Sequence, residues 1–61
     1  MKRKRILVVD HDICATRLLK LGLEATGAFE VREVDQGSAA LAAAQEFRPD
    51  AVVLDVCMPG I

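Results

Sequence analysis

The sequence predicts an α/β domain with a parallel sheet in strand order 2-1-3. Three observations carry this. Short apolar runs alternate with stretches of helical periodicity, in the order β-α-β-α-β. Two of the runs, Ile6 to Val9 and Ala51 to Leu54, are continuous rather than alternating, as in strands covered on both faces. Right-handed crossovers then constrain the rest. If the first helix carries the chain outward to the second strand, the second helix carries it back over the first strand to the third. The helices lie on opposite faces and the first strand is central.

Each element has its own local signal. Ile6-Leu7-Val8-Val9 is the first strand, broken by Asp10-His11-Asp12. Asp12 is placed to cap a helix running from Ile13 to about Thr26, with Gly27 ending it in the left-handed conformation. Cys14, Leu18, Leu21 and Ala25 recur at helical spacing as its inner side, with Arg17, Lys20 and Glu24 opposite. Glu30 to Val34 is a second strand whose interleaved charges suit a sheet edge. After the turn Asp35-Gln36-Gly37, Ser38 is the expected cap of a helix from Ala39 to Phe47, with Leu41, Ala44 and Phe47 inward. Arg48-Pro49-Asp50 stops that helix, because proline cannot continue it. The third strand, Ala51 to Leu54, ends at Asp55, and Met58-Pro59-Gly60 forms a loop. This strand is an edge by topology but has the composition of an interior strand.

With 61 residues the chain is one domain at most. At that size, burial and the cost of ordering the chain nearly cancel, so a lone monomer is expected to be marginal. The formal net charge of −1 gives no overall field toward nucleic acid or membrane, and no direct nucleic-acid binding is expected. The basic run Lys2-Arg3-Lys4-Arg5 reads as a solvated lead-in to the first strand. The apolar stretch after it is too short for a signal peptide or a membrane span, which makes the cytoplasm the default compartment. Cys14 and Cys57 fit no disulfide framework and are expected to be free, packed thiols. There is no Ser-His-acid set, no glycine-rich phosphate loop and no zinc-spaced cysteine pair, so an ordinary enzyme is disfavoured.

The candidate chemistry lies at the strand ends. Asp10 follows the first strand and Asp55 the third, and in a 2-1-3 sheet these strands are neighbours. Open α/β sheets bind ligands at this carboxyl edge. Acidic groups gathered there repel one another unless a hard divalent cation neutralises them, and Mg²⁺ suits one or two carboxylates plus water and phosphate oxygens. A carboxylate beside such a cation can attack phosphorus to give an aspartyl phosphate. Taken singly, each aspartate also reads as an ordinary strand terminator.

Ile6-Leu7-Val8-Val9-Asp10-His11-Asp12 resembles the acidic first-strand motif of response-regulator receiver domains. The segment from Pro49 through Leu54-Asp55-Val56-Cys57-Met58-Pro59-Gly60 looks like that family's phosphorylation-site strand and loop, and Gly37-Ser38-Ala39-Ala40-Leu41 its second-helix entry. The resemblance implies half of a flavodoxin-like doubly wound fold, a truncated receiver domain over residues 1–61 with the first three strands and two helices. It implies a signalling module of a two-component system rather than an enzyme, with Asp55 as phosphoacceptor. Mg²⁺ would be held by Asp10, Asp55 and the backbone carbonyl of Cys57, with His11 or Asp12 as further candidates. The donor would be a sensor histidine kinase or phosphotransfer protein.

Two features depart from the family pattern. His11 stands where the family usually has a second acid. Imidazole is a poor Mg²⁺ ligand, so weaker metal binding is expected, while His11, Asp10, Asp55 and Cys57 together contain zinc-type donors. The family's second half, which supplies a hydroxyl residue and a lysine to the phosphoryl group, is not among these 61 residues. The third strand would normally pair there. Its open edge points instead to a homodimer through that strand, in sheet order 2-1-3-3′-1′-2′. The alternative function is accordingly a non-phosphorylated dimerisation or interaction module, or a folding fragment, that keeps the shape without the chemistry.

Overall fold

Ile6, Leu7, Val8 and Val9 form the centre of the molecule, each almost wholly removed from solvent in the computed structural model, which describes residues 2–54. They belong to β1 (Lys4–Val9), followed by α1 (Ile13–Ala25), β2 (Phe29–Val34), a 3-10 turn (Gly37–Ala39), α2 (Ala40–Phe47) and β3 (Ala51–Leu54). The sheet is parallel in order β2-β1-β3, as the crossover argument requires. Ile6 pairs with Val31 on one side and Ala51 on the other, and Val9 with Val34 and Leu54. Asp55, Cys57 and the Met58-Pro59-Gly60 loop lie outside the described residues.

Strand pleating sends alternate β1 side chains to opposite faces, and each face has its own helix. Leu7, Val9 and Val34 pack under Ala40, Ala43 and Ala44 of α2. Ile6, Val8 and Val31 pack on the other face with Leu23 of α1 and Phe29. The two-sided burial of β1 explains why it carries no polar residue after Arg5.

The helix boundaries follow their caps. Asp12 Oδ1 accepts the amides of Cys14 (3.0 Å) and Ala15 (3.3 Å), satisfying two donors that the first turn of α1 leaves open. Thr26 is the C-cap, and Gly27 follows with φ +79°. Ser38, expected to cap the second helix, does not. It lies inside the 3-10 turn, and α2 starts at Ala40 without a side-chain cap. The tighter turn supplies backbone carbonyls where a cap oxygen would act: Gln36 O accepts the Ala39 amide at 3.1 Å and Gly37 O accepts the Ala40 amide.

The inner face of α1 differs from the periodicity reading, and that of α2 agrees at Ala44 and Phe47 but not at Leu41. Leu18 is 72% exposed and Leu41 70%, and Cys14, Leu21 and Ala25 also face solvent. In α1 the cause is polar. Thr16, Arg17 and Lys20 turn toward Glu33 of β2, and Glu24 Oε2 accepts the Val31 amide at 3.1 Å. These ties rotate α1 so that Thr16 and Leu23 meet the sheet, and no described element covers the Leu18–Leu21 stripe. In α2 the small residues Ala40, Ala43 and Ala44 bring the helix close to the sheet, with Phe47 buried at its end, and Leu41 projects away. Cys14 is a free thiol but exposed rather than packed.

The basic lead-in is partly structural. Lys4 and Arg5 belong to β1, and Arg5 ties the bottom of the fold together. Its amide donates to Asp50 Oδ2 (2.8 Å), its carbonyl accepts the Asp50 amide (2.7 Å), and its Nη1 donates to Phe47 O (2.9 Å). Two guanidinium groups lie over the Phe47 ring, Arg5 at 5.5 Å and Arg32 at 4.9 Å from its centroid.

Candidate functional site

The carboxyl edge of the sheet is assembled by register. The Asp10 amide donates to Val34 O at 3.0 Å, extending the β1–β2 ladder one residue beyond Val9. On the other side Val9 pairs with Leu54, so β3 reaches the edge level with β1. Asp55 is next in sequence after Leu54 and lies outside the described residues.

Asp10 is the best-placed carboxylate here. Its side chain is 24% exposed. Oδ1 accepts the Asp12 amide at 2.9 Å, which closes a tight turn and fixes the carboxylate against the backbone. His11 places Nδ1 3.8 Å from the same oxygen, with most of its own ring in solvent. Asp12 Oδ1 is occupied by the first turn of α1. Asp10 and Asp12 thus both hold backbone amides through Oδ1, and Asp10 is the one that directly follows a strand at the carboxyl edge.

Beside this turn, Ile13, Thr16, Arg17, Glu33 and Asp35 line a cleft of about 260 Å³. Burial pushes the Glu33 carboxyl up, but hydrogen bonds from Arg17 (3.3 Å) and Thr16 (3.0 Å), with the charges of Arg17 and Lys20, outweigh it and hold the group below the ordinary carboxylate range. From sequence, Glu33 is an edge-strand charge and Asp35 a turn residue. The signal for Asp35 was present in the sequence, since an aspartate directly follows each of the three strands: Asp10, Asp35 and Asp55.

Among the described residues no group of three or more His, Cys, Asp or Glu side chains is gathered closely enough to hold a metal. The donor chemistry at Asp10 is nonetheless compatible with Mg²⁺, which needs only one or two carboxylates when waters and phosphate oxygens complete its shell. No helix among the described residues is long and apolar enough to cross a membrane.

Comparison with known proteins agrees with this geometry. The family described as response regulator receiver domain matches residues 6–61. The chain is 44% identical over 59 residues to the DNA-binding response regulator MtrA of Mycolicibacterium smegmatis, covering 97% of this chain and 25% of that relative. It is 49% identical over 55 residues to the transcriptional regulatory protein PrrA of Mycobacterium bovis, covering 90% of this chain and 23% of the relative. With the response regulator GacA of Pseudomonas viridiflava it shares 41% identity over 58 residues, 93% of this chain and 27% of the relative. The chain thus spans about a quarter of the length of these curated relatives. Its β-α-β-α-β order, its 2-1-3 parallel sheet, the acidic turn after the central strand and these matches together establish that the chain belongs to the response regulator receiver domain family.

Proposed function

We propose that the chain is a phosphoacceptor receiver module of two-component signalling, with Asp55 as the residue that takes the phosphoryl group. The observation that supports this most directly is the in-register pairing of Val9 with Leu54, after which Asp10 and Asp55 are the next residues of two neighbouring strands. In this reading a carboxylate oxygen of Asp55 attacks the phosphorus of a phosphohistidine on a sensor kinase or phosphotransfer protein. The P–N bond breaks, the imidazole leaves with the bonding pair and takes up a proton, and an acyl phosphate forms on Asp55. Bound Mg²⁺ supplies charge neutralisation between the carboxylates and the incoming phosphoryl oxygens. Asp10, Asp55 and the Cys57 carbonyl would hold it, and the Asp10–Asp12 turn orients the Asp10 carboxylate for this. His11 in place of a second acid lowers the negative charge of the site and with it the expected Mg²⁺ affinity. The module works in the cytoplasm, where kinase partners of this family would meet it.

The test is intact-mass analysis after incubation with a small phosphodonor such as acetyl phosphate, with and without Mg²⁺. A Mg²⁺-dependent phosphoryl adduct, absent in Asp55→Asn, is the expected result. A folded sample with no adduct would sink the phosphoacceptor reading and favour an interaction module that keeps the receiver shape without its reaction.

A second reading has its own observation. Val52, Val53 and Leu54 are 42–47% exposed, an apolar strand edge with no partner on its outer side among the described residues. Such an edge pairs readily with another strand. A homodimer through β3 would cover it and build a six-stranded sheet in order 2-1-3-3′-1′-2′.

A further inference from the structure

We propose that the amino-terminal edge of the sheet, opposite the acidic turn, is a binding site for a compact polyphosphate group. A cleft of about 250 Å³ opens there, lined by Lys2, Arg3, Lys4, Arg5, Arg48 and Asp50. Strand rise puts Lys4 about 20 Å from Asp10, so the cleft is separate from the carboxyl-edge site.

The distribution of ion pairs singles this cleft out. Of the eight lysines and arginines in the chain, Arg5, Arg17, Lys20 and Arg32 each face a glutamate within 4.0 Å. Lys2, Arg3, Lys4 and Arg48 have no carboxylate at that distance among the described residues, and all four line this one cleft. The single acid in the lining, Asp50, offsets one charge among five cationic side chains and makes no ion pair within 4.0 Å with Lys2, Arg3, Lys4 or Arg48. Nor are they consumed by the open carbonyls at the end of α2, where the Phe47 carbonyl is taken by Arg5. Four unpaired cations crowded around one concavity repel one another, and a multivalent anion removes that repulsion.

Backbone conformation adds an independent sign. Arg48 is the one non-glycine residue with positive φ among the described residues, at φ 53° and ψ 63°. Glycine or asparagine is the usual occupant of a left-handed helix cap, so an arginine there accepts strain. The strained cap contributes a cation to the cleft, and strain of this kind tends to persist where function uses it.

The charge balance selects a compact ligand over a polymer or a surface. Five cationic side chains and one carboxylate line the cleft, in a chain of formal net charge −1, so the remaining surface is net acidic. A long nucleic acid or an anionic membrane would be repelled by that remainder, whereas a di- or triphosphate group fits within the local field. No aromatic side chain lines the cleft, which points to recognition of the phosphates rather than of an attached base.

Pyrophosphate titration of the ¹⁵N-labelled chain at low ionic strength tests this. Saturable shifts confined to the amides of Lys4, Arg5, Arg48 and Asp50 are expected, with orthophosphate weaker and chloride inert. Arg48→Gly removes the charge while relieving the backbone, so the fold is retained and affinity should fall about three- to ten-fold. Lys4→Gln combined with Arg48→Gly should abolish the saturable response. Absence of saturation, or affinity unchanged in the double variant, overturns the proposal. Tighter binding to anionic vesicles or short duplex DNA than to pyrophosphate overturns the compact-ligand assignment.

Discussion

Glu33 is the residue on which α1 and β2 meet, and its chemistry sets a pH dependence. Its depressed pKa means that the folded state holds the ionised carboxylate more strongly than the unfolded chain does. That stabilisation is fully present above the ordinary value of 4.5 and is lost as pH falls through the lower folded value. Glu33→Gln should therefore cost about 1–2 kcal/mol at neutral pH. It should also flatten the fall in thermal midpoint as pH drops below 4.5, which paired thermal melts would show. An unchanged acid slope in the variant would remove Glu33 from that role. Asp12 offers a second test, because cap and metal ligand make different demands. Asp12→Ala should lower stability by about 1 kcal/mol in urea titration, whereas Asp12→Asn should retain most of it. If the cap is the main duty of Asp12, Mg²⁺ affinity measured on Asp12→Asn should stay near that of the parent, while Asp10→Asn should lose it.

Among the elements, α1 shows where sequence reasoning succeeds and where it stops. Its start at Asp12, its end before Gly27 and the span of β3 were legible, because caps, left-handed glycines and continuous β-branched runs act locally. The sheet order was legible too, since handed crossovers leave few choices. Which face of α1 turns inward was not, because Thr16, Arg17, Lys20 and Glu24 are drawn to partners on β2 that periodicity cannot see. Asp10 and its turn were legible as a candidate site for the same reason as the strands, whereas the Glu33–Asp35 cleft depends on packing. The observed orientation predicts that Leu18→Ala changes stability by less than about 0.5 kcal/mol. Leu23→Ala, against Ile6, Val8 and Val31, should cost about 1–2 kcal/mol. Gly22 provides the complement, since a Cβ added there meets nothing within 4 Å. Gly22→Ala should raise stability by about 0.5–1 kcal/mol, read from the same urea titrations, by removing backbone freedom from the unfolded chain.

For the molecule as a whole, the unbalanced feature is the exposed outer strand. If β3 pairs with its copy, sedimentation should show a concentration-dependent dimer, and Val53→Lys should leave a folded monomer, because a lysine blunts an edge strand. A monomer at every concentration would remove the dimer reading without touching the phosphoacceptor one. The central position of β1 also has a kinetic consequence. Both other strands hydrogen-bond only to β1 among the described strands, so neither can enter the sheet before β1 is in place. Ile6 meets Val31 across 25 positions and Ala51 across 45. Closing the longer loop costs about 0.5 kcal/mol more. The first βαβ unit should therefore nucleate folding, with β3 docking onto a sheet already formed. Destabilising changes in β1 should slow folding, and those in β3 should mainly speed unfolding. A chain emerging amino terminus first could complete that nucleus before β3 emerged.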